Sequence, residues 1–198
     1  MLSEVSRSQT VYPFVVKLLQ DYVKVGDRLL DVGCGPCQYR SFCPGTYVGL
    51  DLNGDPYPPG QPRQVDLIGS AMDIPEADAR FDCVMCVSSF YQIPDPGKAL
   101  AEFMRVLKPG GRVLLVDYNR RVRRRLSLQE GVRRESWTQL KLKNALWLSG
   151  FAELQMLLPR EKQPAGLVRW IYLLREEIFG SWSIVVGKKS ADARVDLL

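Results

Sequence analysis

Leu29-Leu30-Asp31-Val32-Gly33-Cys34-Gly35 reads as a buried strand that runs into a turn, with two glycines where a ligand can approach the backbone closely. Sixteen residues beyond Gly35, Asp51 ends a second apolar run, Thr46 to Leu52, and is placed to accept hydrogen bonds from a ribose diol. In a doubly wound sheet the turn and the acid fall at the carboxyl ends of adjacent strands, where such folds bind nucleotides. The turn chooses the nucleotide. Gly33-x-Gly35 is followed by Pro36, Cys37 and Gln38, so the third glycine of a dinucleotide fingerprint is missing. Asp31 would repel a pyrophosphate but suits the cationic aminoacyl end of S-adenosylmethionine (SAM). This favours SAM over NAD.

Outward from that turn, strand-like and helix-like segments alternate. Val11 to Val23 carries apolar residues at helical spacing and is ended by Gly26 and Asp27. Asn53 to Gln64 holds four prolines and two glycines and reads as a loop. Val65 to Ile68 and Phe81 to Val87 read as the third and fourth strands. Pro94 to Lys108 reads as a helix with a Pro-Gly-Gly stop at 109 to 111, and Arg112 to Asp117 as the fifth strand. A helix from about Ser136 to Leu148, a strand from Phe151 to Leu157, an apolar helical segment within Pro164 to Gly180 and a last strand from Trp182 to Gly187 complete the pattern. The expected fold is α/β: a Rossmann-like, doubly wound, mainly parallel seven-stranded sheet flanked by helices, with the last strand antiparallel. Length predicts a single domain over 1–198, with insertions at about 118–135 and 159–181.

No run approaches the roughly 18 apolar residues of a membrane span, and the N-terminus does not resemble a signal peptide, so a soluble, cytoplasmic protein is expected. The five cysteines include two C-x-x-C spacings, Cys34 to Cys37 and Cys83 to Cys86. Cys83 and Cys86 fall in a strand where their side chains point to opposite faces, and packed apolar thiols are the better reading than a zinc or redox site; no metal is expected.

In order along 29–119, the motifs Leu-Asp-Val-Gly-Cys-Gly-Pro, Val-Gly-Leu-Asp-Leu, Gly69 to Pro75, Phe-Asp-Cys-Val, Ile-Pro-Asp-Pro and Arg-Val-Leu-Lys-Pro-Gly-Gly-Arg resemble the class I SAM-dependent methyltransferases, in particular the small type 11 group. The resemblance implies SAM as cofactor. It assigns Asp31, Gly33, Cys34 and Gly35 to the methionine part, Asp51 to the ribose hydroxyls and Leu52 to one adenine face. Ala71 and Met72 would enclose the other face, and Ser88 would lie beneath the sulfonium. Two departures stand out. Gly69-Ser70 replaces the usual Gly-Asp, leaving Ser70 to meet the adenine amino group, and Tyr91-Gln92 stands where many relatives carry a histidine. The chain contains no histidine, which excludes an imidazole base. Because methyl transfer can proceed largely by alignment, a base is optional; Tyr91, Asp117 and Tyr118 are the candidates.

The acceptor surface implied by the resemblance comprises Leu2 to Val23, Ser89 to Asp95, Tyr118 to Glu135 and Pro159 to Ser181. Arg120 to Arg125 contains five arginines in a chain of net charge +5 and would attract phosphate, carboxylate, nucleic acid or an anionic membrane. Gly166 to Gly180 is more apolar than one narrow stripe needs, and could pack on its own sheet, cover an apolar acceptor, touch a membrane or pair with a second subunit. These additions favour a small anionic or lipid-like acceptor. Nucleic acid ranks lower, since the basic run lacks interleaved aromatics. A non-catalytic SAM-fold partner or scaffold is the alternative from another class.

Overall fold

The computed structural model describes residues 11–52, 65–119, 137–159, 165–179 and 182–190. The Pro-rich 53–64 segment and the arginine cluster at 120–125 lie outside these. Seven strands form one sheet: β1 (Arg28–Val32), β2 (Thr46–Asp51), β3 (Leu67–Ile68), β4 (Phe81–Val87), β5 (Leu107–Tyr118), β6 (Phe151–Leu157) and β7 (Trp182–Lys189). Their order is β3-β2-β1-β4-β5-β7-β6. The pairs from β3 to β5 are parallel, while β7 is antiparallel to both β5 and β6. This is the Rossmann-like sheet expected from the sequence, including its reversed last strand.

Alternation along the buried strands feeds two apolar layers. Leu30, Val84, Cys86, Val113 and Leu115 face one side, where they meet Leu100 and Phe103 of α2 (Pro96–Val106) and Leu142 and Leu146 of α3 (Gln139–Leu148). Leu29, Cys83, Met85, Leu114 and Val116 face the other, against Val15, Leu18 and Leu19 of α1 (Pro13–Tyr22). Cys83 and Cys86 thus lie in opposite layers, as strand alternation requires.

Several boundaries differ from the sequence expectation, each for a local reason. Asp95 accepts the Lys98 N–H at 3.0 Å, so α2 starts with Pro96 at its first position instead of at Pro94. Leu107 already pairs with Phe81 and Arg112 with Cys83; the Pro-Gly-Gly stop is therefore an irregularity within β5, which begins five residues earlier than expected. Thr138 caps α3, which starts at Gln139 and not at Ser136. The third strand shrinks to two residues, and β7 continues to Lys189.

The crossover from β1 to β2 contains only a 3-10 turn, Arg40–Phe42, where a doubly wound sheet usually places a helix. Buried Cys37 and Tyr39 fill that side of the sheet instead. A fourth helix, α4 (Gly166–Phe179), joins β6 to β7. Its Leu173 is buried, and Arg169 donates to the Met156 carbonyl at 2.9 Å. The opposite face, with Leu167, Trp170, Ile171 and Leu174, is exposed, so packing on the sheet accounts for only part of this apolar segment.

Candidate active site

The carboxyl ends of β1, β2 and β4 converge on one cavity of about 220 Å³. Gly33 and Cys34 donate their N–H groups to the Leu50 carbonyl at 2.8 and 3.1 Å, which folds the turn after β1 over the end of β2. Gly33 takes φ +71°, and a Cβ there would lie 2.5 Å from the Cβ of Ser89. Ser89 Oγ in turn donates within reach of the Gly33 carbonyl at 2.9 Å and the Val87 carbonyl at 3.1 Å, so the first turn is strapped to the chain leaving β4. Gly35 N–H donates to Asp51 Oδ2 at 2.9 Å. That bond fixes the carboxylate at the mouth and leaves it further acceptor capacity.

Of the residues singled out in the sequence, Gly33, Asp51, Leu52, Ser70, Ala71 and Met72 line this cavity. Ser70 Oγ accepts the Met72 N–H at 3.1 Å, so the hydroxyl that replaces a carboxylate here shapes the loop that carries Ala71 and Met72. Leu52 is 68% exposed and stands at the rim. Cys34, Gly35, Asp31 and Ser88 are not on the wall. Asp31 is buried beneath the turn, where the Tyr47 hydroxyl donates to its carboxylate. Burial pushes the Asp31 carboxyl up to about 7, against the opposing pull of the Tyr47 bond. Ser88 takes φ +55° as the chain leaves β4, its N–H donating to the Val116 carbonyl at 2.8 Å.

Sequence reasoning named Ser89 to Asp95 only as part of the acceptor surface, and missed that Ser89, Gln92, Ile93 and Pro94 form the opposite wall of this same cavity. Gln92 had a signal, as the place where relatives carry a histidine; Ser89 had none, because its contact with Gly33 spans 56 residues. The three candidate bases gather nearby, at the ends of β4 and β5. Tyr91 is nearly buried, and its ring centroid lies 6.0 Å from that of Tyr118. Asp117 is fully buried and accepts the Tyr118 N–H at 2.6 Å. The Tyr118 hydroxyl is 3.4 Å from that of Tyr12, and the Tyr118 ring lies 4.6 Å from Trp182, so the segment before α1 and the start of β7 extend this aromatic rim.

Residues 30–115 match the family described as a methyltransferase domain, in agreement with the class I methyltransferase resemblance carried by the motifs. A fatty-acid O-methyltransferase of Mycolicibacterium smegmatis is 40% identical over 102 residues, covering 46% of this chain and 37% of that protein. A demethylmenaquinone methyltransferase of Bacillus cereus is 34% identical over 109 residues, covering 48% of this chain and 46% of that protein. The chain therefore spans less than half the length of these curated relatives. A SAM-dependent methyltransferase from Thermotoga maritima shares the fold, with a TM-score of 0.65 and 20% identity over 94% of this chain and 91% of that one.

Proposed function

We propose that the chain is a SAM-dependent methyltransferase whose acceptor is a small anionic or lipid-like molecule. The observation that carries this reading is the cavity in which Gly33, assigned by the family motifs to the methionine part of SAM, meets Asp51, Leu52, Ser70, Ala71 and Met72, assigned to its nucleoside. The donor set fits SAM. Asp51 offers acceptor capacity for ribose hydroxyls, Leu52 and Met72 offer apolar surface for the two faces of adenine, and Gly33 has no Cβ to fill the space beside Ser89. When bound, SAM supplies a methyl group already activated on a sulfonium.

The residues of the chain bind, orient and exclude water. The turn after β1 is held from both sides, by Leu50 and by Ser89, and a rigid turn aligns what it binds with little loss of entropy at the reaction step. Tyr118 and Tyr91 border the position an acceptor would take, and their phenols can orient it by hydrogen bonds. Asp117, buried behind Tyr118, acts in this reading by fixing the strand end. The relatives named for a fatty acid and for demethylmenaquinone support an amphiphilic acceptor. So does the exposed apolar face of α4, which suits contact with a lipid-like acceptor or a membrane surface. No helix among the described residues is long and apolar enough to cross a membrane.

Calorimetric titration with SAM and S-adenosylhomocysteine tests this. The intact chain is expected to bind both in the micromolar range, and Asp51→Ala to weaken binding roughly 10- to 150-fold, the equivalent of one hydrogen bond to a charged group. A folded chain that binds neither overturns the reading and moves the scaffold alternative to first place.

A further inference from the structure

Cys34 belongs to the turn that the methyltransferase reading assigns to cofactor binding, and Cys37 follows it three residues later, outside that assignment. Their sulfurs are 3.5 Å apart and both side chains are buried. The sheet makes room for them: a Cβ at Gly49, on β2, would stand 2.7 Å from the Cys37 sulfur and 2.9 Å from that of Cys34. The pair is thus a built feature and not a coincidence of spacing in an open loop. Arg40 Nη2 lies 3.6 Å from the Cys37 sulfur, held in place by Asp66 at 2.6 Å and by the Tyr47 ring 4.7 Å beneath it. Asp31 and Asp51 are the acids whose charges act on Cys34. The Cys34 S–H and the Arg40 guanidinium hold the Cys37 thiol below its ordinary range, whereas Cys34 is pushed up. One sulfur is therefore suited to attack and its neighbour to resolve.

Resting on the methyltransferase reading, we propose that Cys34 and Cys37 form a reversible disulfide on exposure to hydrogen peroxide, and that this bond weakens cofactor binding. The Cys37 thiolate attacks a peroxide oxygen; an S–O bond forms, the O–O bond breaks, and the departing hydroxide takes a proton to become water. The Cys34 sulfur then displaces the oxygen from the sulfenic acid, forming the S–S bond and releasing a second water. Two thiols lose two electrons and two protons, and the peroxide is reduced to two waters. A dithiol reverses the step by exchange.

The consequence for the cavity is geometric. Bonded sulfurs are about 2.05 Å apart, so the pair must close by roughly 1.5 Å from its present separation. Gly35 and Pro36 lie between the two cysteines, and Gly35 N–H is the group that holds Asp51. Closing the ring moves that N–H, and with it the carboxylate assigned to the ribose. Burial of both sulfurs also selects the oxidant, since hydrogen peroxide has only two heavy atoms and a glutathione disulfide is a bulky, charged peptide.

The test uses the full chain, reduced with dithiothreitol, desalted and divided. Hydrogen peroxide is expected to remove roughly 2 Da from the peptide spanning 34–37, faster than oxidised glutathione does, to weaken SAM binding by about tenfold or more, and to be reversed by dithiothreitol. Cys37→Ser is expected to bind SAM as the reduced chain does and to keep that affinity after peroxide. Absence of the cross-link, or a cross-linked chain with unchanged SAM affinity, overturns the proposal. A reduced chain that fails to bind SAM overturns the methyltransferase reading and the gating with it, while the mass still reads whether the bond forms.

Discussion

Replacing Gly33 with alanine asks the turn after β1 to do two things it is built to avoid. Its φ of +71° lies in the left-handed region, which costs an L residue with a side chain about 1–2 kcal/mol. The new methyl would also lie 2.5 Å from Ser89 Cβ and 2.6 Å from Ser89 Oγ, closer than side-chain atoms approach. Ser89 cannot simply swing away, because its Cβ is fixed by the backbone and its hydroxyl is bonded to Gly33 and Val87. Overpacking of this kind costs about 1–3 kcal/mol, giving a total of about 2–5 kcal/mol. Urea unfolding of Gly33→Ala, Ser89→Gly and the double variant separates the two parts. Ser89→Gly removes the obstructing atoms but not the backbone strain, so the double variant should exceed additivity in stability by about 1–3 kcal/mol. A single alanine variant less than about 1 kcal/mol below the parent, or a cycle with no coupling, would refute the reasoning.

Asp31 supplies a pH signature. Its carboxyl titrates near 7 in the folded chain against 3.8 as the ordinary value, so between those limits the folded state binds more protons. The stability it contributes is full below about pH 4 and is lost as pH rises through about 7. Asp31→Asn should flatten this fall, read as urea midpoints from about pH 4 to 8; parallel curves for parent and variant would contradict it. Ser70→Asp restores the acid that relatives carry before the adenine loop, and should tighten SAM binding by roughly 3- to 10-fold in calorimetry. Unchanged or weaker binding would mean that the hydroxyl bonded to Met72 N–H is worth more here than a carboxylate facing adenine.

What the sequence made legible was local. Leu29 to Gly35 and Asp51 announce themselves through apolar runs ending on glycine or acid, and the cavity assembles around Gly33 and Asp51. What it hid depends on contacts between distant segments. Ser89 enters the wall because it braces Gly33, and Tyr12 and Trp182 reach the rim because α1 and β7 converge on Tyr118. The start of β5 was hidden too: Pro109, Gly110 and Gly111 carry every mark of a break, yet Leu107 pairs with Phe81 before them. The cysteines show the same limit. Burial of Cys34 follows from composition, but its pairing with Cys37 depends on the missing side chain of Gly49, across the strand boundary.

The reversed strand β7 also bears on how the chain is made. It is the last strand in sequence among the described residues yet sits inside the sheet, pairing with β5 from Arg112 to Tyr118 and with β6 on its other side. Until residues 182–189 leave the ribosome, the finished parallel half ends in an open β5 edge, and β6 has no strand to dock on. Backbone donors and acceptors along such an edge are a template for pairing between nascent chains. The sheet therefore closes only after residues 182–189 have emerged, and a ribosome stalled between β6 and β7 would leave the β5 edge open.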